Sequence, residues 1–312
     1  MRAVVIRSFG GPEVIEIADV ATPEPGPGQV RIRMEAAAVN PVDLVTRGGL
    51  LAEAGLMEAR DVIGLGWDVA GVIDAVGPGT AGYRPGDRVI GLSDRLDVPL
   101  GTHADQVVLD AAAVAPAPAG VTAARAATLP LNGLTALQAL DFLGLPPGGT
   151  LLVTGAAGGV GGFAAELAAR RSLRVVALAG PADEGLVRGL GATWFVPRTT
   201  PDLAAAVRAL VPGGVDGALD AAGLGVRALP AVRNRGAFAS VVGGTAPVPL
   251  RATRVAGIWI NADARGLAEL SALAAAGDLT LRVAETLPLD KAAHAHARLA
   301  EGGLRGRLVL VR

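Results

Sequence analysis

The sequence predicts an α/β protein of two bodies: a β-rich domain over residues 1–121 and 262–312, and a doubly wound, parallel six-stranded sheet with helices over residues 122–261. Three observations predict it. Short alternating strands and turns fill the first 121 residues, and near "PAPAGVT" the pattern changes to strands alternating with helical segments. Within the second body an apolar strand runs into a helix through three glycines spaced three apart, Gly155, Gly158 and Gly161.

In order along the chain, "QVRIRMEAAAVN" alternates in its first half, "DVAGVIDAVG" is a β-rich run closed by glycine, and "YRPGDRVIGL" is a turn feeding a strand. "VNPVDL" reads as a helix start, with Asn40 at the N-cap, Pro41 at the first helical position and Asp43 three after the cap. The second body has strands at Thr150–Thr154, Val175–Ala179, Trp194–Val196, Val215–Asp220, Ala237–Val242 and Val255–Ile260. The tail carries a helix with apolar spacing at Leu267, Leu270, Leu273 and Ala274, a strand in "RVAETLPL", a second helix and a last strand in "GRLVLVR". Too short to be a domain alone, it is expected to pack back onto the N-terminal β domain, leaving a cleft between the two bodies.

The bulk numbers bound the chemistry. With 312 residues and 51% hydrophobic composition the chain has ample core without staples, and zero cysteines remove disulfides and thiolate metal sites. Three histidines, at 103, 294 and 296, do not build a metal site, since His294 and His296 stand two apart on a helix and face different ways. A net charge of −1 without a basic cluster argues against nucleic acid, and no apolar run reaches the length of a membrane span. The N-terminus does not read as a signal peptide, so a cytoplasmic location is expected. Lys291 is the sole lysine, so side-chain contacts to an anion fall to arginine.

The glycine loop suggests what the second body holds. Glycine lets the backbone turn tightly against a bulky anion, and the helix behind it aims unpaired N–H groups at that spot. With strands before and after it, the loop reads as a dinucleotide-binding β-α-β unit, although glycine is common in this chain, with 44 among 312 residues. No Gly-x-Ser-x-Gly, no Ser/His/Asp ordering and no carboxylate pair stands out, which leaves cofactor chemistry.

Four further stretches carry a resemblance: "AAAVNPVDLVTRGG", "GWDVAGVIDAVGPGTAGYRPGDRVIG", "LPLNGLTALQAL" and "GGLRGRLVLVR". In this order they resemble the zinc-independent quinone oxidoreductase branch of the medium-chain dehydrogenase/reductase superfamily over almost the whole length. The resemblance implies a GroES-like catalytic domain beside a Rossmann cofactor domain, a homodimer, and hydride transfer from NADPH to a small-molecule electron acceptor such as a quinone or an α,β-unsaturated carbonyl. It implies that Asn40 faces the cleft beside the nicotinamide as the catalytic residue, with Asn40, Val45 and Trp259 around the acceptor. The family often has a tyrosine at the position of Val45, so no hydroxyl is expected there.

The implied cofactor contacts follow the chain. Asn132 and Thr135 precede the glycine loop, which supplies Gly155, Ala157, Gly158, Gly159, Val160 and Gly161. Ala179 and Gly180 follow the second strand. Further contacts are Arg198, Ala222 with Gly223, Val242 with Gly243, Ile258 and Arg307. The second strand ends without the acidic residue that many NAD enzymes place on the ribose, which leaves room for the 2′-phosphate of NADPH. Arg198 offers a fork to grip that phosphate, while Asp183 and Glu184 argue for NADH. An enoyl reductase and a non-catalytic NADPH-binding protein remain as alternatives. The glycines at 66, 71 and 77 are expected as turn and bulge residues, Asp87 and Arg88 as a possible pair, and His103 as a satisfied, partly buried residue of a strand.

Overall fold

The computed structural model describes residues 1–58 and 60–312. The N-terminal strands are β1 (Arg2–Ile6), β2 (Ile15–Asp19), β3 (Gln29–Val39), β4 (Ile63–Gly64), β5 (Asp68–Val76), β6 (Arg88–Leu92), β7 (Gln106–Asp110) and β8 (Val114–Pro116). Helices α1 (Pro41–Arg47) and α2 (Leu50–Glu53) lie between β3 and β4. Next come α3 (Ala123–Ala126), α4 (Pro130–Leu143), β9 (Thr150–Thr154), α5 (Gly159–Arg170), β10 (Arg174–Ala179), α6 (Glu184–Gly189), β11 (Trp194–Pro197), α7 (Leu203–Leu210), β12 (Val215–Asp220), β13 (Val232–Ser240) and β14 (Arg254–Gly257). The chain ends with α8 (Ala264–Ala275), β15 (Val283–Pro288), α9 (Ala292–Glu301) and β16 (Arg307–Val311).

The chain divides into two compact units, Met1–Leu131 with Asn261–Gly277 and Leu281–Arg312, and Asn132–Ile260 with Asp278–Thr280. Residues 122–131, expected in the second body, lie in the first because α3 packs against β3, β5, β15 and β16. Asp278–Thr280, expected in the first, lie with the second: Arg170 pairs with Asp278 at 2.9 Å, and Thr280 N–H donates to Glu166 at 3.1 Å.

In the first unit β2-β1-β4 form a small antiparallel sheet, and β15-β16-β3-β5-β6-β8, with β7 on β3, form a larger one. β3 explains itself from sequence: its first seven residues alternate between half-buried and buried, and its last four, Ala36–Val39, are buried on both faces. The tail joins this sheet, as expected, through Leu308–Val311 paired antiparallel with Ala36–Val39. Gly71 is a close-approach glycine here, since a Cβ on it would fall 2.2 Å from the Arg33 carbonyl oxygen.

The second unit is a parallel six-stranded sheet in the order β11-β10-β9-β12-β13-β14. The strand order reverses between β9 and β12, which puts a crevice outside their carboxyl ends. Two strands differ from expectation. β13 begins at Val232, where it pairs with Val215, and ends at Ser240, whose hydroxyl turns to Thr245 Oγ1 at 2.7 Å. β14 stops at Gly257; Ile258 N–H still reaches Ser240 O at 2.7 Å, and Trp259 lies beyond the strand.

Candidate functional site

The second unit gathers its expected nucleotide residues at the carboxyl ends of its strands. β9 hands over at Gly155, whose φ of +62° is a left-handed conformation that glycine adopts freely. Gly158 is the N-cap of α5 and has no side chain to cap the helix, so the first-turn amides, including those of Gly159, Val160 and Gly161, point outward without intrahelical acceptors. A Cβ on Gly161 would fall 2.2 Å from Gly155 O, and one on Gly158 would fall 3.1 Å from it. Gly161 therefore lets the helix close onto the turn, while Gly158 keeps the rim low. Ala157 is buried beside them.

A neighbouring turn is packed onto this loop. A Cβ on Gly155 would meet Ala221 O at 3.2 Å, and Ala222 N–H donates to Thr154 Oγ1 at 3.1 Å. Asp220 holds that turn in place. Fully buried at the end of β12, it accepts from Thr154 Oγ1 at 2.5 Å and from the N–H groups of Ala222 at 3.3 Å, Leu224 at 3.1 Å and Gly225 at 2.7 Å. Gly223 in the same turn faces Val242, whose Cγ1 would lie 3.4 Å from an added Cβ, and Gly243 follows with open space around it. Asn132 and Thr135 are buried on α4.

At the end of β10, Ala179 O accepts the N–H of Arg198 at 2.7 Å, so the turn after β11 reaches Gly180. A Cβ on Gly180 would lie 2.8 Å from Asp183 Oδ2 and 3.9 Å from Arg198 Nε. The buried carboxylate and the exposed guanidinium thus share one corner. Glu184 is committed elsewhere, in an exposed pair with Arg188 at 2.8 Å.

In the first unit the expected residues form a separate group. Asn40 is fully buried at the N-cap of α1. Its N–H donates to Asp43 Oδ2 at 2.7 Å, and Asp43 Oδ1 accepts Gly66 N–H at 2.9 Å, so Asp43 caps the helix and pins a second turn. The Asn40 side chain turns to a residue the sequence reading passed over: Nδ2 donates to Asp68 Oδ2 at 2.7 Å, and Asp68 Oδ1 accepts Leu131 N–H at 2.6 Å. Burial raises both carboxyls to about 7, against the lowering effect of these bonds. Arg307 is near enough to oppose that rise; its own pKa is drawn down to about 10 by burial, and its enclosed Nε has no partner. Val45 is half-buried on α1. Trp259, expected beside the acceptor, belongs to the second unit and is half-exposed.

Two lesser expectations change. His103 precedes β7 rather than lying in it and is fully buried, with Nε2 3.1 Å from Ala38 O and Nδ1 unpartnered, because the first unit closes completely over it. Asp87 pairs with Arg84 at 3.3 Å instead of with Arg88, since the turn brings the Arg84 N–H to the same carboxylate at 2.9 Å. Asp68 and Asp220 carry no signal that sets them apart in the sequence, since each shares its strand with a second acid, Asp74 in β5 and Asp216 in β12.

Residues 26–119 match the alcohol dehydrogenase GroES-like domain family, and residues 190–310 match the zinc-binding dehydrogenase family. A quinone oxidoreductase of Pseudomonas aeruginosa is 30% identical over 99% of each chain. A pikromycin polyketide synthase component of Streptomyces venezuelae is 40% identical over 56% of this chain, which spans 4% of that much longer protein. Among solved structures, an NAD-dependent alcohol dehydrogenase is similar with a TM-score of 0.88 and 34% identity over 100% of both chains. The quinone oxidoreductase of Coxiella burnetii gives 0.90 and 27%, covering 100% of this chain and 99% of that one. A mycobacterial protein complexed with NADPH gives 0.84 and 27% over 100% of both.

The two groups that this kinship brings to mind fit differently. A dinucleotide fits the residues present, because the positive φ of Gly155, the missing Cβ of Gly161 and the uncapped start of α5 leave a cradle for an anion. Zinc does not fit: the sequence has no cysteine, and among the described residues no three His, Asp or Glu side chains converge as a ligand set. Matched in full length to a quinone oxidoreductase and in its N-terminal part to the GroES-like domain, the chain belongs to the quinone oxidoreductase branch of the medium-chain dehydrogenase/reductase superfamily.

Proposed function

We propose that the protein transfers hydride from NADPH to an electron-poor acceptor, a quinone or an α,β-unsaturated carbonyl, without a metal. The glycine cradle between β9 and α5 carries this reading. When bound there, the nicotinamide dinucleotide would supply the hydride. The chain's own part is to hold the pyrophosphate on the amides of Gly159–Gly161, to shape the turn at Ala222 and Gly223 through Asp220, and to place Asn40 against the reacting partners. Arg198 is proposed to grip the 2′-phosphate beside Gly180, and Arg307 to contact the cofactor. With Val45 where the family often has a tyrosine, the proton of the reduced product is proposed to come from water or a bound hydroxyl.

The test is a screen of naphthoquinones, enones and enoyl thioesters with both nicotinamides. NADPH oxidation with a quinone or enone is expected, and turnover with none of the three classes would leave a binding protein. A second reading, reduction of an enoyl thioester, is supported by the 40% identity to a stretch of polyketide synthase, and selective turnover of the thioester would establish it. Buried Asp183 at the Gly180 corner favours NADH as the alternative cofactor. Elemental analysis is expected to find no stoichiometric zinc, and light scattering to find a homodimer.

A further inference from the structure

The glycine loop after β9 and the turn at Ala222 and Gly223 after β12 lie side by side in the second unit, and different bonds shape that turn and place it. Asp220 shapes it: the N–H groups of Ala222, Leu224 and Gly225 close back on its carboxylate at 3.3, 3.1 and 2.7 Å, all within one short stretch of chain. None of these three bonds reaches β9. The side-chain bonds that cross are those of the Thr154 hydroxyl, which donates to Asp220 Oδ1 at 2.5 Å and accepts Ala222 N–H at 3.1 Å. An ionised carboxylate only accepts and an amide N–H only donates, so the group that stands between them must do both, as a hydroxyl does. Thr154 and Asp220 are fully buried and form the last pair of the β9–β12 ladder. Beyond that pair the two chains leave the sheet for their turns.

We propose that Thr154 is a positioning residue whose hydroxyl fixes where the Ala222–Gly223 turn stands against the glycine cradle, so that one dinucleotide engages both. The inference rests on the proposed function for the ligand, and on the bonds above for the placement. The turn is also touched on two sides. A Cβ on Gly155 would lie 3.2 Å from Ala221 O and 3.5 Å from Ala222 Cβ, so the loop begins in contact with the turn. On the far side, a Cβ on Gly223 would lie 3.4 Å from Val242 Cγ1 and from Thr245 Cγ2. Contacts of this kind stop the turn from moving inward but resist its moving outward only weakly. The directed hold is the hydroxyl's. Valine at position 154 would keep nearly the same shape and lose both bonds, leaving Ala222 N–H with the longer one to Asp220 at 3.3 Å.

The test compares the wild type with Thr154→Val and Thr154→Ser using two ligands: NADPH, proposed to span cradle and turn, and inorganic pyrophosphate, which suits the cradle alone. Thr154→Val should weaken NADPH in calorimetry by about tenfold, while pyrophosphate, measured as a competitor, stays within about twofold of the wild type. Thr154→Ser returns the hydroxyl and should recover most of the loss. In nucleotide-free protein, exchange of the Ala222 amide should quicken by about tenfold or more in Thr154→Val and return toward the wild-type rate in Thr154→Ser. Unchanged NADPH affinity in folded Thr154→Val overturns the proposal. Equal weakening of both ligands overturns it too, since Thr154 would then be merely part of the fold. Should Thr154→Val fail to fold, Thr154→Ala, which sets no methyl against the carboxylate, takes its place with the same expectations. In the wild type, Ala222 exchange as fast as in an unfolded peptide refutes the placement whatever the variants do. A wild type that binds neither NADPH nor NADH overturns the proposed function and this inference together. A wild type that binds NADPH while Thr154→Val binds it equally well overturns the inference alone.

Discussion

The two units keep polar groups out of water in opposite ways. The second builds its site from backbone: glycines shape the cradle, and the buried Asp220 is satisfied by four donors from its own strand ends. The first fills its interior with side chains that are incompletely satisfied. Of seven buried side-chain nitrogen and oxygen atoms without a partner among the described residues, six belong to the first unit, on Arg47, Thr102, His103, His296 and Arg307, and one, Thr253 Oγ1, to the second. The imbalance teaches where sensitivity should lie. The second unit should respond to added bulk and lost bonds, and the first to pH.

The largest effect should come from removing the carboxylate that organises the second unit. Asp220→Ala leaves three donors, the Thr154 hydroxyl and the N–H groups of Leu224 and Gly225, facing an apolar gap, while Ala222 N–H keeps Thr154 Oγ1; each buried donor without a partner costs about 1–3 kcal/mol, less when the set relaxes together. A loss of about 3–5 kcal/mol in urea denaturation is expected, with Asp220→Asn intermediate. A near-neutral Asp220→Ala would mean that the turn at Ala222 and Gly223 is held by its own backbone.

The glycine loop divides into a folding glycine and a binding glycine. At Gly161 any Cβ meets Gly155 O at 2.2 Å, so Gly161→Val should impair folding. At Gly158 the same approach is 3.1 Å and the backbone is extended, with φ of −77° and ψ of −178°, so a side chain is accommodated but projects from the helix start. Gly158→Val should therefore leave the unfolding transition in place and weaken NADPH by about a hundredfold or more, ~3 kcal/mol, in calorimetry. Unchanged affinity in a folded variant would remove the cradle from the site.

These contrasts also explain what the sequence could and could not show. Glycine spacing is legible because it reports backbone needs that are local in the chain, and the strand sets of β9, β12 and the tail follow from apolar runs with the same economy. Asn40 was legible through its cap and its family motif. The carboxylate that its side-chain amide bonds was not, because Asp68 is 28 residues away and the bond exists only once β3 and β5 pair. Asp220 escaped for the opposite reason: its partners are near in sequence, but a strand-ending acid followed by small residues reads as a turn. His296 read correctly as facing away from His294, but that it would be fully buried, 6.3 Å from the ring of His103, depends on α9 closing over the first sheet.

The corner at Gly180 tests the cofactor choice at somewhat smaller scale. Arg198 is exposed and within reach of the end of β10, with buried Asp183 beside it. A charge-assisted contact to a 2′-phosphate is worth about 1.5–3 kcal/mol, so Arg198→Ala should weaken NADPH by about ten- to a hundredfold and leave NADH unchanged. Equal weakening of both would make Arg198 structural. A wild type that prefers NADH would assign the ribose hydroxyls to Asp183, and Asp183→Ala should then weaken NADH.

The smallest effect should show the first unit's character most directly. His296 is fully buried with neither ring nitrogen partnered, and its pKa is lowered to about 3 by burial, with His103 and Arg47 adding to the shift. Its folded pKa thus lies below its unfolded value near 6.5, so the unfolded chain takes up the proton first as pH falls. Stability from this group is complete above about 6.5 and is lost progressively toward 3, at up to about 1.4 kcal/mol per pH unit. The buried carboxyls of Asp43 and Asp68, raised to about 7, have the opposite sign: the folded chain takes up their protons first, so they favour the fold as pH falls from 7 toward 4. The two trends mask each other in the wild type between about 4 and 6.5. His103, whose pKa burial lowers to about 4, shares the histidine trend; His296→Leu therefore halves that trend against two raised carboxyls, and also removes two unmet polar atoms from the core. It should raise stability at pH 7 by about 1 kcal/mol and expose a stability that increases on mild acidification. If the variant is instead destabilised at pH 7 with its pH dependence unchanged, His296 is satisfied in solution by internal water, and the first unit is better hydrated than its side-chain contacts imply.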